Sequence, residues 1–93
     1  EQSGTKDQAS GQLAVLNADK LLDRALKEKG YKGTSMGERM VSAGRLFTKR
    51  DAVWAAHKLR NRLAHEEGVT LSSKVTRQAL ASFKYALKDL GAL

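Results

Sequence analysis

The sequence predicts an all-α protein, an antiparallel four-helix bundle, and three observations carry that prediction. Thirteen Leu and thirteen Ala in 93 residues, with no Pro and no Ile, favour helix and leave too little β-branched and aromatic material for an all-β domain. Apolar residues recur at three- and four-residue spacing in four separate segments. Each segment is flanked by capping residues or glycine. A chain of this length makes one domain. It buries only about 60–65% of its unfolded surface, so a second copy is a welcome source of stability.

Residues 1–9 are polar, carry Gly4 and show no periodicity, so they read as a disordered lead-in to a helical domain over 10–93. The first helix is expected from Ser10 to Lys29. Its apolar positions are Leu13, Ala14, Leu21 and Ala25, with Ala18, Leu22 and Leu26 beside them. Lys27 and Lys29 suit the negative end of the helix dipole, and Gly30 can supply a left-handed cap. Ser35-x-x-Glu38 reads as a capping box that opens a second helix reaching Phe47, with Met36, Met40, Ala43 and Phe47 on one side and Gly44 as a weak point. Thr48-x-x-Asp51 reads as the next cap. The third helix then runs to Glu66 or Glu67, with Gly68 as its stop. The fourth runs from Ser72 to Leu90, with Val75, Ala79, Leu80, Phe83, Ala86, Leu87 and Leu90 facing the core.

Composition narrows the chemistry. Without cysteine there are no disulfides, thiolate metal sites or cysteine nucleophiles, and two histidines argue against structural zinc, so neither metal nor cofactor is expected. No segment reaches the roughly 18 apolar residues of a membrane span. A net charge of +7 favours a polyanionic partner. The cysteine-free composition suits a reducing compartment, hence a cytoplasmic location. The first residue is Glu rather than Met, which raises the expectation of a longer polypeptide with a tethering segment upstream.

On a helical wheel at about 100° per residue, Ala52, Ala55, Ala56, Leu59 and Leu63 form the obvious core face of the third helix. A second arc holds Val53, Trp54, His57, Arg60, Asn61, Ala64 and His65, while Lys58 and Arg62 lie on a third. Large apolar residues beside histidines, away from the core stripe, suggest a twin subunit packed through Val53, Trp54, His57 and Ala64. Arg60 and His65, five residues apart, diverge by about 140° on an ideal helix. Arg45, Lys49 and Arg50 crowd the loop before this helix and offer phosphate contacts, with His57 a further candidate. Lys74, Arg77, Lys84 and Lys88 share a side of the fourth helix, which reads first as a solvated face.

The string Arg60-Asn61-Arg62-Leu63-Ala64-His65-Glu66, on the third helix of a small bundle, resembles the R-x4-H motif of the HEPN superfamily, over roughly residues 12–91. The strings from Gly30 to Arg39 and from Ala56 to Glu66 also resemble an uncharacterised group of small proteins from candidate-phyla bacteria, whose members carry a hydrophobic segment before the helical domain. The superfamily resemblance implies an HEPN-like bundle that dimerises and cleaves single-stranded RNA without a metal, by attack of the ribose 2′-OH on the adjacent phosphate. It implies His65 as acid and base, Arg60 as phosphate clamp and Asn61 as orienter, with two copies of His65 in one cleft. The residue types suit those roles. An imidazole ordinarily titrates near pH 6.5, at about neutrality, and a guanidinium is a fixed-charge fork for phosphate oxygens. Where several HEPN toxins add a Tyr two residues after the His, this chain has Glu67, so the longer toxin motif is not met. The alternative from another class is a bundle without the chemistry, binding nucleic acid or nucleotide, or mediating self-association of a larger, membrane-tethered protein. With no aromatic base-reading platform, either reading implies weak sequence preference and strong salt dependence.

Overall fold

Helices α1 (Gln2–Glu28), α2 (Met36–Ser42), α3 (Arg50–His65) and α4 (Ser73–Asp89), with a 3-10 turn at Gly44–Leu46, make an all-α bundle with no strand among the described residues. The computed structural model describes the backbone of residues 2–93 and the side chains of residues 8–93.

Helix α1 starts at Gln2, ahead of the expected Ser10. Gln8 and Ala9, assigned from sequence to the lead-in, are helical. The Gln8 side chain explains part of the extension. Its carboxamide accepts from the Leu71 backbone N–H at 2.9 Å and donates to the Leu71 carbonyl. One turn on, Gln12 Nε2 donates to the Val69 carbonyl at 2.9 Å. These amides stand in for a backbone partner along the loop before α4, where Leu71 is buried. Gln8→Ala is therefore expected to cost about 1–2 kcal/mol, because it strands a buried N–H and C=O. A urea titration measures it, and an unchanged midpoint would mean that water replaces the amide.

The connections follow local chemistry. Gly30 and Gly91 adopt positive φ, +88° and +74°, and end α1 and α4 as left-handed caps, whereas α3 ends on an extended Glu66 and the expected stop, Gly68, lies beyond it in the loop. Ser35 accepts from the Glu38 N–H at 3.2 Å, and Glu38 reaches back to the Thr34 N–H at 2.9 Å, so the box closes one residue earlier than its usual register. Gly33 is required by close approach, since a Cβ there would lie 2.7 Å from the Glu38 Cβ. The second helix does not reach Phe47. It stops at Ser42, and a 3-10 turn covers Gly44–Leu46. Thr48 does not cap α3, whose N-cap is Lys49 without a side-chain bond. Instead the Thr48 N–H and hydroxyl both donate to Asp89 Oδ2, at 2.9 and 3.1 Å. Ser72 caps α4 through the Val75 N–H at 3.1 Å.

Those links also fix direction. Gln12 meets Val69 and Asp19 meets His57, so α1 and α3 run antiparallel. Thr48 meets Asp89, so α3 and α4 do too, leaving α1 and α4 parallel. The expected antiparallel alternation of four helices, the second of them short, is corrected accordingly. Three long helices form the bundle, and the seven-residue α2, about 10 Å long, serves as a crossover lying against α1.

The buried stripe of α1 is Val15, Asp19, Leu22, Ala25 and Leu26, while Leu13 and Leu21 are exposed. Helix α4 contributes Ala79, Phe83, Ala86 and Leu87, with Leu90 at its cap, as its periodicity predicts, except that Val75 sits at the surface. Helix α3 differs most. It buries Val53, Ala56 and His57, whereas Ala55 is exposed. The core face is turned by roughly one residue step, about 100°, from the alanine-rich face.

A two-pronged ion pair ties α2 to α1. Arg39 Nε and Nη2 donate to the two Asp23 oxygens at 2.8 and 3.1 Å, and Nη1 donates to the Gly33 carbonyl at 2.8 Å. Partial burial alone would raise the Asp23 pKa, but the Arg39 bonds and charge, helped by Lys27, outweigh it and hold the carboxyl below its usual range. A depressed folded-state pKa stabilises above the unfolded value and is lost as pH falls through the folded one. Asp23→Asn is expected to lower Tm at pH 7, with the gap to wild type closing below about pH 4. Melts at stepped pH check this, and a gap that persists unchanged in strong acid would contradict it.

Candidate functional site

One buried carboxylate organises the middle of the bundle. Asp19 takes the core position between Val15 and Leu22 on α1 and is only 3% exposed. Its Oδ1 lies 2.8 Å from His57 Nδ1 and its Oδ2 lies 3.4 Å from Arg60 Nε. His57 and Arg60 are three apart on α3 and so present both groups to one acceptor. A carboxylate can only accept, so the ring nitrogen donates. His57 is itself buried and meets Trp54 edge-on, with ring centroids 6.1 Å apart at 74°. Arg60 Nε is buried and makes no aligned hydrogen bond, so its tie to Asp19 is electrostatic.

The far end of Arg60 reaches the surface, with about a third of its side chain exposed. There Nη1 donates to Asn61 Oδ1 at 3.1 Å. Asn61 and His65 are four apart and share a helical face. The guanidinium is held between Asp19 on one side and its chain neighbour Asn61 on the other. His65 is exposed at the last residue of α3, with no hydrogen bond or ion pair among the described residues. Beside it, Glu66 pairs with Arg62 at 3.6 Å. Arg60 and Asn61 therefore meet through the Nη1 bond, with Arg60 anchored from behind by a buried acid, while His65 stands one turn beyond Asn61 without a hydrogen bond to either. Cavities of about 250 to 570 Å³ elsewhere on the chain are lined by other side chains.

Several expected site residues fall elsewhere. Val53 is fully buried and His57 nearly so, which removes both from any seam between subunits and removes His57 from direct contact with substrate. The cause is the turn of α3 that points them at α1. Trp54 is half-buried against the core, and Ala64 is exposed one residue before His65. Arg45, Lys49 and Arg50 do come together, around a polar cavity of about 460 Å³ at the start of α3. From Arg50 to His65 is fifteen residues, about 22 Å along the helix, so this basic corner is not part of the Arg60–His65 stretch. Lys74, Arg77, Lys84 and Lys88 are all exposed.

Sequence reasoning missed Asp19. Its signal was available as an acidic residue four after Val15 and three before Leu22, inside an otherwise apolar stripe. Among the described residues no three His, Asp or Glu side chains gather as a metal site, and no helix is long and apolar enough to cross a membrane. No protein-family model, curated protein or solved structure matches the chain.

Proposed function

We propose that Arg60, Asn61 and His65 are half of a metal-independent RNA-cleaving site of the HEPN type, completed by a second copy of the chain. The observation that carries the reading is the support given to Arg60. A buried carboxylate holds its Nε side, and Asn61, four residues before His65, accepts from its Nη1. This gives a phosphate clamp whose rotamer is restrained before substrate arrives.

In the proposed reaction one His65 takes the proton of a ribose 2′-OH. The freed oxygen attacks the adjacent phosphorus, and the P–O5′ bond breaks. The His65 of the second copy delivers a proton to the departing 5′ oxygen. The products are a 2′,3′-cyclic phosphate and a 5′-OH, and two imidazoles in opposite protonation states exchange roles. Arg60 holds the non-bridging oxygens as charge collects on them, and Asn61 keeps Arg60 in place. With Val53 and His57 buried, the seam available to two copies is Asn61, Ala64 and His65, where the small Ala64 permits close approach. The +7 charge supplies long-range attraction for the polyanion, so binding weakens steeply with salt.

The test is incubation of purified protein with single-stranded RNA in excess EDTA. The expected result is cleavage to cyclic-phosphate ends, lost in Arg60→Ala. RNA retained without cleavage would replace this reading with a binding module, and no interaction would remove both.

A further inference from the structure

Between α3 and α4 lies an apolar groove of about 570 Å³, to whose lining α1 contributes no residue. Its floor and walls are Ala52, Ala55, Leu59, Val75, Ser82 and Tyr85. This is the alanine face of α3 that the sequence marks as core and the fold turns outward. Val75 and Tyr85 are exposed although they lie on the apolar side of the groove. At one end Lys49 Nζ lies 5.1 Å from the centroid of the Tyr85 ring and closes the trough. Ala52 to Leu59 spans about 10 Å and Val75 to Tyr85 about 15 Å along their axes, the length of two to three helical turns.

The rim is basic. Lys58 and Arg62 follow Ala55 and Leu59 by three residues, Lys74 adjoins Val75, and Lys88 follows Tyr85 by three, all of them exposed. Of the acids nearby, Glu66 pairs with Arg62 and Asp89 accepts from Thr48, which leaves Asp51. A second copy seated here would bring two such basic rims together, like charge against like. We infer that the α3–α4 groove receives an amphipathic helix from a different protein, with large apolar residues at i, i+4 and i+7 and acidic residues along its flanks. The surface is distinct from the Arg60–His65 site, since Lys58 and Arg62 separate the two on the α3 wheel, and the inference does not depend on RNA cleavage.

Ala55 makes the test decisive, because it is exposed and faces the groove. Ala55→Arg fills the trough while adding positive charge. The probe is a labelled synthetic helix of about fourteen residues, with leucine at i, i+4 and i+7 and glutamate at the flanking positions. A control peptide carries lysine in place of glutamate. Fluorescence anisotropy is expected to show binding of the glutamate peptide, at least about tenfold weakened by Ala55→Arg, and no comparable binding of the lysine peptide. Equal or tighter binding to Ala55→Arg would reduce the association to bulk electrostatics and overturn the inference. So would failure of the glutamate peptide to bind the wild-type chain, or a homodimer that Ala55→Arg dissociates in sedimentation. Thermal melts confirm that the variant is folded, and Ala55→Gln, which fills the groove without charge, is expected to weaken binding as well.

Discussion

Asp19→Ala is expected to cost about 3–5 kcal/mol, the usual price of leaving buried charged or polar partners without their acceptor. Removing this carboxylate leaves the His57 ring N–H and the buried Arg60 Nε facing apolar neighbours. The total stability of a domain this size is roughly 5–14 kcal/mol, so the variant is expected to be partly unfolded at 37 °C. Its Tm falls by about 4–8 °C for each kcal/mol lost. Asp19→Asn retains an acceptor for His57 and is expected to lose less. Replacing the whole group together, Asp19→Leu with His57→Leu and Arg60→Met, is expected to recover much of the loss, because the desolvated charges leave with their partner. Circular dichroism with urea measures each step. A loss below about 1 kcal/mol in Asp19→Ala would mean that His57 and Arg60 reach water and that the carboxylate does not organise α3.

His65→Ala is expected to leave stability within about 0.5 kcal/mol of wild type, since the side chain is exposed and unbonded at the end of α3. The same change is expected to lower the rate of RNA cleavage by about 10²- to 10⁴-fold, the range for loss of a general acid–base group. The separation is the informative part. His57→Ala, at the buried histidine, should lose stability first and activity only as a consequence. If His65→Ala cleaved RNA at the wild-type rate, proton transfer would have to be assigned elsewhere.

The parts of this fold legible in the sequence are those governed by local chemistry. Ser35 and Ser72 cap helices because their side chains reach the N–H three residues on, and Gly30 ends α1 because it adopts positive φ, whereas α3 ends on an extended Glu66 before Gly68 is reached. The stripe on α4 is legible because Phe83 and Leu87 are large enough to mark a face. The rotation of α3 is not legible. Alanines count as apolar on a wheel yet bury little area, so Val53 and a satisfied His57 outcompete Ala52 and Ala55 for the interior. That choice depends on Asp19, a partner 38 residues away in sequence. Thr48 misleads in the same way, because its hydroxyl is taken by Asp89 from another helix. The start of α1 is hidden because Gln8 and Gln12 gain their partners only when the loop before α4 folds against them. At the candidate site the motif Arg60–His65 is legible as a string. The anchoring of Arg60 by Asp19, from another helix, is tertiary and leaves no mark in the string.

In the proposed reaction Arg60, Asn61 and His65 direct a ribose hydroxyl at its own phosphate. The most direct measurement uses a DNA oligonucleotide carrying a single ribose, incubated with the chain in EDTA and resolved by mass spectrometry. One cut is expected, immediately 3′ of that ribose, with a cyclic phosphate on the upstream fragment and no product from the all-deoxy strand. Cutting at deoxy positions, or an intact ribose-bearing strand under conditions where the chain binds it, would contradict the account.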